Sequence, residues 1–172
     1  GELRLVLDIV GVEVRLLSGE EVVHRITIAP GDRHSSVAGR VFKAAAELGL
    51  SGPYDAAHRS DDAVARIEPV HAEAFWHLLM EVDALLRRRR DDLPGSPGPV
   101  QFWSHGFDLS FEWFGTKHDA SGAPAQLNLG WYPAGDAYFY SNPWPFDDRL
   151  IGSPLPSGAK WHIAEWKGTM LR

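Results

Sequence analysis

The sequence predicts an α+β fold, mainly antiparallel sheet with two principal helices, in the order βββα–αββββ. Three observations carry this reading. Apolar and polar residues alternate over positions 3–28 and again beyond position 100, the two-residue period of half-buried strands. Between them lie two stretches whose apolar residues recur every three or four positions, the spacing of amphipathic helices. Strands therefore group at both ends with helices between, as in segregated α+β domains rather than in alternating βαβ units.

Leu3, Leu5, Leu7 and Ile9 alternate with other residues and predict the first strand. Val12, Val14 and Leu16 predict the second after Gly11, and Ser18-Gly19 supplies a turn. Val22, His24, Ile26 and Ile28 predict a third, closed by Pro30-Gly31, so that the three form a meander with one packed face. A helix follows. Ser35 or Ser36 can cap it, Val37, Val41, Ala45 and Leu48 share one face, and Gly49 is placed to end it. Residues 51–63 read as a loop.

After Pro69 the spacing predicts a helix from about His71 to Arg90, with Phe75, Leu78, Leu79, Val82, Leu85 and Leu86 as its apolar stripe. Arg87 to Arg90 fall in its last turn, where cations suit the negative end of the helix dipole, and they read as a solvated helix end. The Pro/Gly-rich run 94–99 stops the helix. Val100 to Phe114 then predict one long strand, bulged at Gly106. Gln126–Tyr132, Ala137–Ser141 and Trp161–Met170 predict three more, with a proline-rich loop over 142–160. No repeat, low-complexity tract or linker interrupts the chain, which reads as one α+β domain over 1–172. It opens directly in a strand pattern with neither Met nor a leader-like segment, so the start of the fold is expected to precede Gly1.

Composition narrows the function classes. With 172 residues, 44% hydrophobic and 23% charged, the chain can bury a sizeable core. A net charge of -6 argues against a nucleic-acid partner, which would call for a basic face. No apolar run approaches the roughly 20 residues of a membrane helix, so no membrane partner is expected. The absence of cysteine removes disulfides and thiolate metal sites and points to a cytoplasmic location. No phosphate-binding loop, dinucleotide fingerprint, zinc-protease helix or nucleophile elbow is present, so neither a cofactor nor an oligomeric state is specified.

Seven Trp and eight Phe are many for this length, and they concentrate where chemistry-bearing residues lie. The richest stretch is Phe102 to Gly115, FWSHGFDLSFEWFG. On a regular strand Asp108, Ser110 and Glu112 share one face, opposite Phe107, Leu109, Phe111 and Trp113, and His105 falls with the aromatic face unless Gly106 shifts the register. His105 and Asp108 form a candidate acid–base pair, which the bland account replaces with a backbone-bonded histidine and solvated carboxylates. His162 with Glu165 repeats the spacing in the last strand, although residues three apart on a strand face opposite ways. If their strands were neighbours, His105 and His162 could approach and add a carboxylate to make a metal set. Eight histidines make chance pairs easy, and no metal site is expected. Tyr138, Tyr140 and Trp144 form a second aromatic concentration, of the kind that lines small-molecule clefts or packs over a core. His24 reads as a core histidine.

Three segments in order, VQFWSHGFDLSFEWFG, QLNLGWYPAGDAYFYSNPWPF and LPSGAKWHIAEWKG, resemble the C-terminal half of domain-of-unknown-function family 5996, a bacterial and largely actinobacterial family. The helix carrying Phe75 and Trp76 is similar to the family's helix before the first of these strands. Two positions depart from the family pattern. The chain has His105-Gly106 where relatives tend to carry two histidines, and the acid of His162-Ile163-Ala164-Glu165-Trp166 is shifted, so no role passes to Gly106 or Glu165. The resemblance implies a fold neighbourhood and no activity.

Two functions of different class follow. The first is a protein that binds a small molecule through an aromatic cleft, with enzymatic action on it as one form of that reading. His105, Asp108 and His162 would stand at the polar end of the cleft as catalytic candidates, and Trp103, Glu112, Tyr138, Tyr140, Trp144 and Trp161 would contact the ligand. The second is a noncatalytic structural or protein-interaction module whose aromatic residues are core. The first is favoured because Tyr and His cost more to bury than Leu. Convergence of the polar candidates in one concavity separates the two.

Overall fold

The computed structural model describes residues 2–50, 52, 63–64, 66–119 and 121–172. Among these, two α-helices and nine strands form an α+β fold with two antiparallel sheets. The chain divides into two compact units, Gly1–His77 and Leu78–Arg172.

The first unit is a three-stranded meander, β1 (Leu3–Asp8), β2 (Glu13–Ser18) and β3 (Glu21–Thr27), followed by helix α1 (His34–Glu47). Alternation puts Val14 and Leu16 of β2 and Ile26 of β3 on one face, where they are buried with Ala44 and Ala45 of α1. Val37, Val41 and Leu48 pack against this core, as the helical spacing predicts. The β1 residues Leu5, Val6 and Leu7 are exposed, against the expectation of a half-buried first strand. A helix of about 10 Å diameter spans roughly two strands at 4.8 Å spacing, and α1 lies on β2 and β3. Neither Ser35 nor Ser36 caps α1. The cap residue is Arg33, which makes no side-chain capping hydrogen bond, and both serines lie within the first turn. A bridge between Arg33 and Val64, with the His34 amide donating to the Ala63 carbonyl at 3.0 Å, ties the helix start instead. Gly49 ends the helix at φ 81. His24 is half-buried, 3.8 Å from Glu47. The expected loop over 51–63 lies largely outside the described residues.

Helix α2 (Pro69–Asp91) begins at its proline, where the missing amide is no loss. Leu79, Val82 and Leu86 are buried and Phe75 is half-buried, a seam with steps of four, three and four residues. Leu78 and Leu85 are exposed, so the buried stripe is narrower than predicted.

The second unit is built on a six-stranded sheet: β4 (Gln101–Trp103), β5 (Asp108–His118), β6 (Pro124–Tyr132), β7 (Tyr138–Trp144), β8 (Ala159–Ile163) and β9 (Lys167–Leu171), in the order β4-β5-β6-β7-β9-β8. Two predicted strands prove to be hairpins. Residues 104–107 form a turn that splits the expected strand 100–114, with Phe107 at φ 56, and the pairing irregularity of β5 lies between Phe114 and His118 rather than at Gly106. Residues 164–166 likewise split the expected strand 161–170. An apolar run continuous through a tight turn hides the turn from periodicity. The expected loop 142–160 starts later, because β7 runs on to Trp144.

Candidate functional site

Strand β6 sets the two faces of this sheet. In Gln126-Leu127-Asn128-Leu129-Gly130-Trp131-Tyr132 the apolar residues Leu127, Leu129 and Trp131 share one face, and Gln126, Asn128, Gly130 and Tyr132 share the other. Register carries the division across the neighbouring strands. Asn128 pairs with Glu112 and Asn142, Gly130 with Ser110 and Tyr140, and Tyr132 with Tyr138. A cavity of about 830 Å³ separates the apolar face from α2, with Leu85, Leu86 and Arg89 on the helix side and Leu129, Phe139 and Trp161 on the sheet. A second pocket, of about 510 Å³, opens on the polar face.

Tyr140 organises that polar face. Its ring lies flat over Gly130, where a Cβ would meet the phenol oxygen at 2.5 Å. Only glycine leaves this path open, and along it the phenol crosses β6 and donates to Asp108 Oδ2 on β5 at 2.8 Å. The hydroxyl of Ser110, 1% exposed, lies beside the phenol and partly offsets the rise in its pKa, and it accepts from Trp103 Nε1 at 2.8 Å. Burial, together with the bond to the Asp108 carboxylate, pushes the Tyr140 phenol well above the ordinary range, so it stays a donor. Burial pushes Tyr138 up as well, helped by Tyr132 and Asp108 nearby. Gly106 sits against this group: a Cβ there would lie 2.7 Å from Asp108 Oδ1 and 3.3 Å from the Tyr132 ring.

Aromatic rings continue along the face. Tyr132 and Tyr138 lie 5.5 Å apart, Tyr138 stacks with Trp166 at 6.3 Å and 11°, and Trp166 lies on His162 at 4.4 Å. Glycine again makes room, since a Cβ on Gly168 would meet the Trp166 ring at 2.8 Å.

The pocket brings together His105, Asp108, Tyr138, Tyr140 and Trp144 among the sequence-predicted residues. His105 does not lie within an aromatic strand. It occupies the exposed turn between β4 and β5, 6.2 Å from the Trp103 ring, and among the described residues it makes no hydrogen bond or ion pair. Trp103 braces the site through Ser110 rather than lining it. Glu112 lies on the polar face by register, beside Asn128. His162 is separated from the pocket by Trp166, and it cannot approach His105 because β4 and β8 are opposite edges of the sheet. Its Nε2 lies 3.2 Å from Glu165 Oε2, a closeness the strand argument excludes, because Glu165 is on the turn and folds back. The two are not in hydrogen-bonding geometry, and Nε2 is buried without a hydrogen bond. Trp161 alternates with His162 and so faces the opposite cavity, with its ring against Phe146.

Sequence reasoning missed Gln126, Asn128, Asn142, Tyr132 and Trp166, all of which line the pocket. The alternation in β6 was the available signal, since it gathers two amides and a tyrosine on one face. Asn128 Oδ1 is buried and accepts no hydrogen bond. Among the described residues no group of three or more His, Asp or Glu side chains is arranged to hold a metal ion, and no helix is long and apolar enough to cross a membrane. This arrangement can offer acceptors and amide dipoles to a polar molecule held between aromatic walls. No known protein family, curated protein or solved structure matches the chain.

Proposed function

We propose that this protein binds a small molecule in the pocket on the polar face of the six-stranded sheet. The observation that carries the reading is the convergence of Asp108, Tyr138, Tyr140 and Trp144 with three side-chain amides in one concavity of about 510 Å³. That volume lies in the range of small-molecule sites, roughly 300–1,000 Å³. A core or a structural face has no use for three amides and a carboxylate so placed, because polar groups left unpaired in an apolar contact are costly. A cytoplasmic location fits the cysteine-free sequence, and the resemblance to family 5996 belongs to the same proposal without adding an activity.

A second reading, acid–base chemistry on the bound molecule, has one observation in its favour: His105 and Asp108 line the same pocket. No hydrogen bond pairs the two, since His105 stands on the turn and Asp108 is held by Tyr140, so each would act on a substrate separately.

Native mass spectrometry of protein purified from its own host tests the binding reading, alongside thermal melting against a library of common metabolites. The expected result is a bound species, or a melting shift, that Trp144→Ala and Asn128→Ala abolish. Wild-type protein that carries no adduct and responds to no metabolite would overturn it, as would responses that both variants retain.

A further inference from the structure

We propose that the ligand of this pocket is an uncharged saccharide, held by one ring against Trp144 and through its hydroxyls by Gln126, Asn128, Asn142 and Asp108. The proposal rests on the reading above that the pocket binds a small molecule.

The amides carry the argument. Asn128 and Asn142 are direct cross-strand partners, and Gln126 stands opposite Trp144 one row along. Among the described residues none of the three side chains makes a hydrogen bond, and the oxygen of Asn128 is buried. Each amide presents a donor and an acceptor side by side. A hydroxyl also donates and accepts, so a row of amides matches adjacent hydroxyls of one sugar ring. Asp108 adds acceptor capacity: Oδ2 accepts the hydrogen bond from the Tyr140 phenol, and no hydrogen bond to Oδ1 is present among the described residues. Asn128 Oδ1 and Asp108 Oδ1 are acceptors that a ligand rich in donors would satisfy.

The charge of the lining excludes other classes. No Lys or Arg lines the pocket among the described residues, so a phosphate or carboxylate would find Asp108 and no fixed cation. A quaternary ammonium would suit the rings and Asp108 but would leave the three amides against methyl groups.

Trp144 supplies the apolar contact. It is 57% exposed, lines the pocket, and has no ring partner among the described residues. Elsewhere on this face Tyr132, Tyr138, Trp166 and His162 occupy one another. An indole left open beside unspent amides suits a molecule with one C–H face and polar edges, and a pyranose is such a molecule.

Ligand-observed saturation-transfer NMR provides the test, with glucose, galactose, mannose, N-acetylglucosamine, maltose and lactose as probes and with glucose 6-phosphate, choline and adenosine as comparators. The expected result is transfer to the ring C–H protons of at least one neutral sugar. Trp144→Ala and Asn142→Ala should each weaken its binding by about tenfold or more while leaving the melting temperature of Trp144→Ala unchanged. The phosphate ester should bind no better than its parent sugar. If the sugars fail while choline, adenosine or a library metabolite binds in a Trp144-dependent way, the saccharide class is overturned and the binding reading stands. Sugar binding that survives both substitutions overturns the assignment to this pocket. If nothing binds wild-type protein in either experiment, both proposals fall.

Discussion

The phenol of Tyr140 on β7 reaches Asp108 on β5 at 2.8 Å by passing over the central strand at Gly130. One hydrogen bond thus joins two strands that are not neighbours, and it sets the carboxylate at the pocket edge. The order β5-β6-β7 makes this reach possible, because a tyrosine lying flat across one strand, together with its hydrogen bond to the Asp108 side chain, covers the two strand spacings between β7 and β5.

Tyr140→Phe removes the donor and leaves the ring in place. It should cost about 1.5–3 kcal/mol, the range for a hydrogen bond to a charged group. Urea denaturation at neutral pH checks this, and a cost below about 0.5 kcal/mol would mean the bond is solvent-dominated.

The same residue predicts an alkaline limit. The folded phenol titrates above the ordinary value near 10, so beyond about pH 10 the unfolded chain releases its proton while the native one holds it. The native state then binds more protons, and stability falls as pH rises. The contribution is fully present below the ordinary value and disappears through the raised one. Denaturation curves between pH 8 and about pH 11 should show this decline in the wild type and a shallower one in Tyr140→Phe, with Tyr138 supplying part of the remainder. Equal slopes would refute the assignment.

Gly130→Ala places a methyl 2.5 Å from the Tyr140 phenol and 2.7 Å from the Leu109 carbonyl. The ring must lift, breaking the Asp108 bond, at a cost of about 1–3 kcal/mol from overpacking alone. Near-UV circular dichroism should change along with stability. Combined with Tyr140→Phe, the loss should be less than additive, since both substitutions act on one contact.

Along α2 the burial pattern separates buried from exposed leucines. Leu86→Ala should cost about 2–5 kcal/mol as a buried truncation. Leu78→Ala, at a residue 42% exposed, should cost less than about 1 kcal/mol. Similar losses from the two would show that the stripe is as wide as its sequence spacing implies.

Fold class, both helices and the periodicity of most strands were legible in the chain alone, because each is a local pattern of burial repeated over several turns or pleats. The sequence also located the aromatic stretches that build the pocket, and within them Asp108, Tyr138, Tyr140 and Trp144. The rest came from turns and strand pairing. The turns at 104–107 and 164–166 lie inside apolar runs, so composition did not reveal them, and they moved His105 to an exposed rim and folded Glu165 back toward His162. Strand order separated His105 from His162, and the two-residue alternation sent Trp161 to the opposite face from His162. Asn128 and Asn142 became partners only through the β6–β7 register, and Tyr140 met Asp108 only because Gly130 lies between them. Which side chains share a pocket depends on pairing between strands distant in sequence, and a periodic pattern within one strand carries no information about its neighbour.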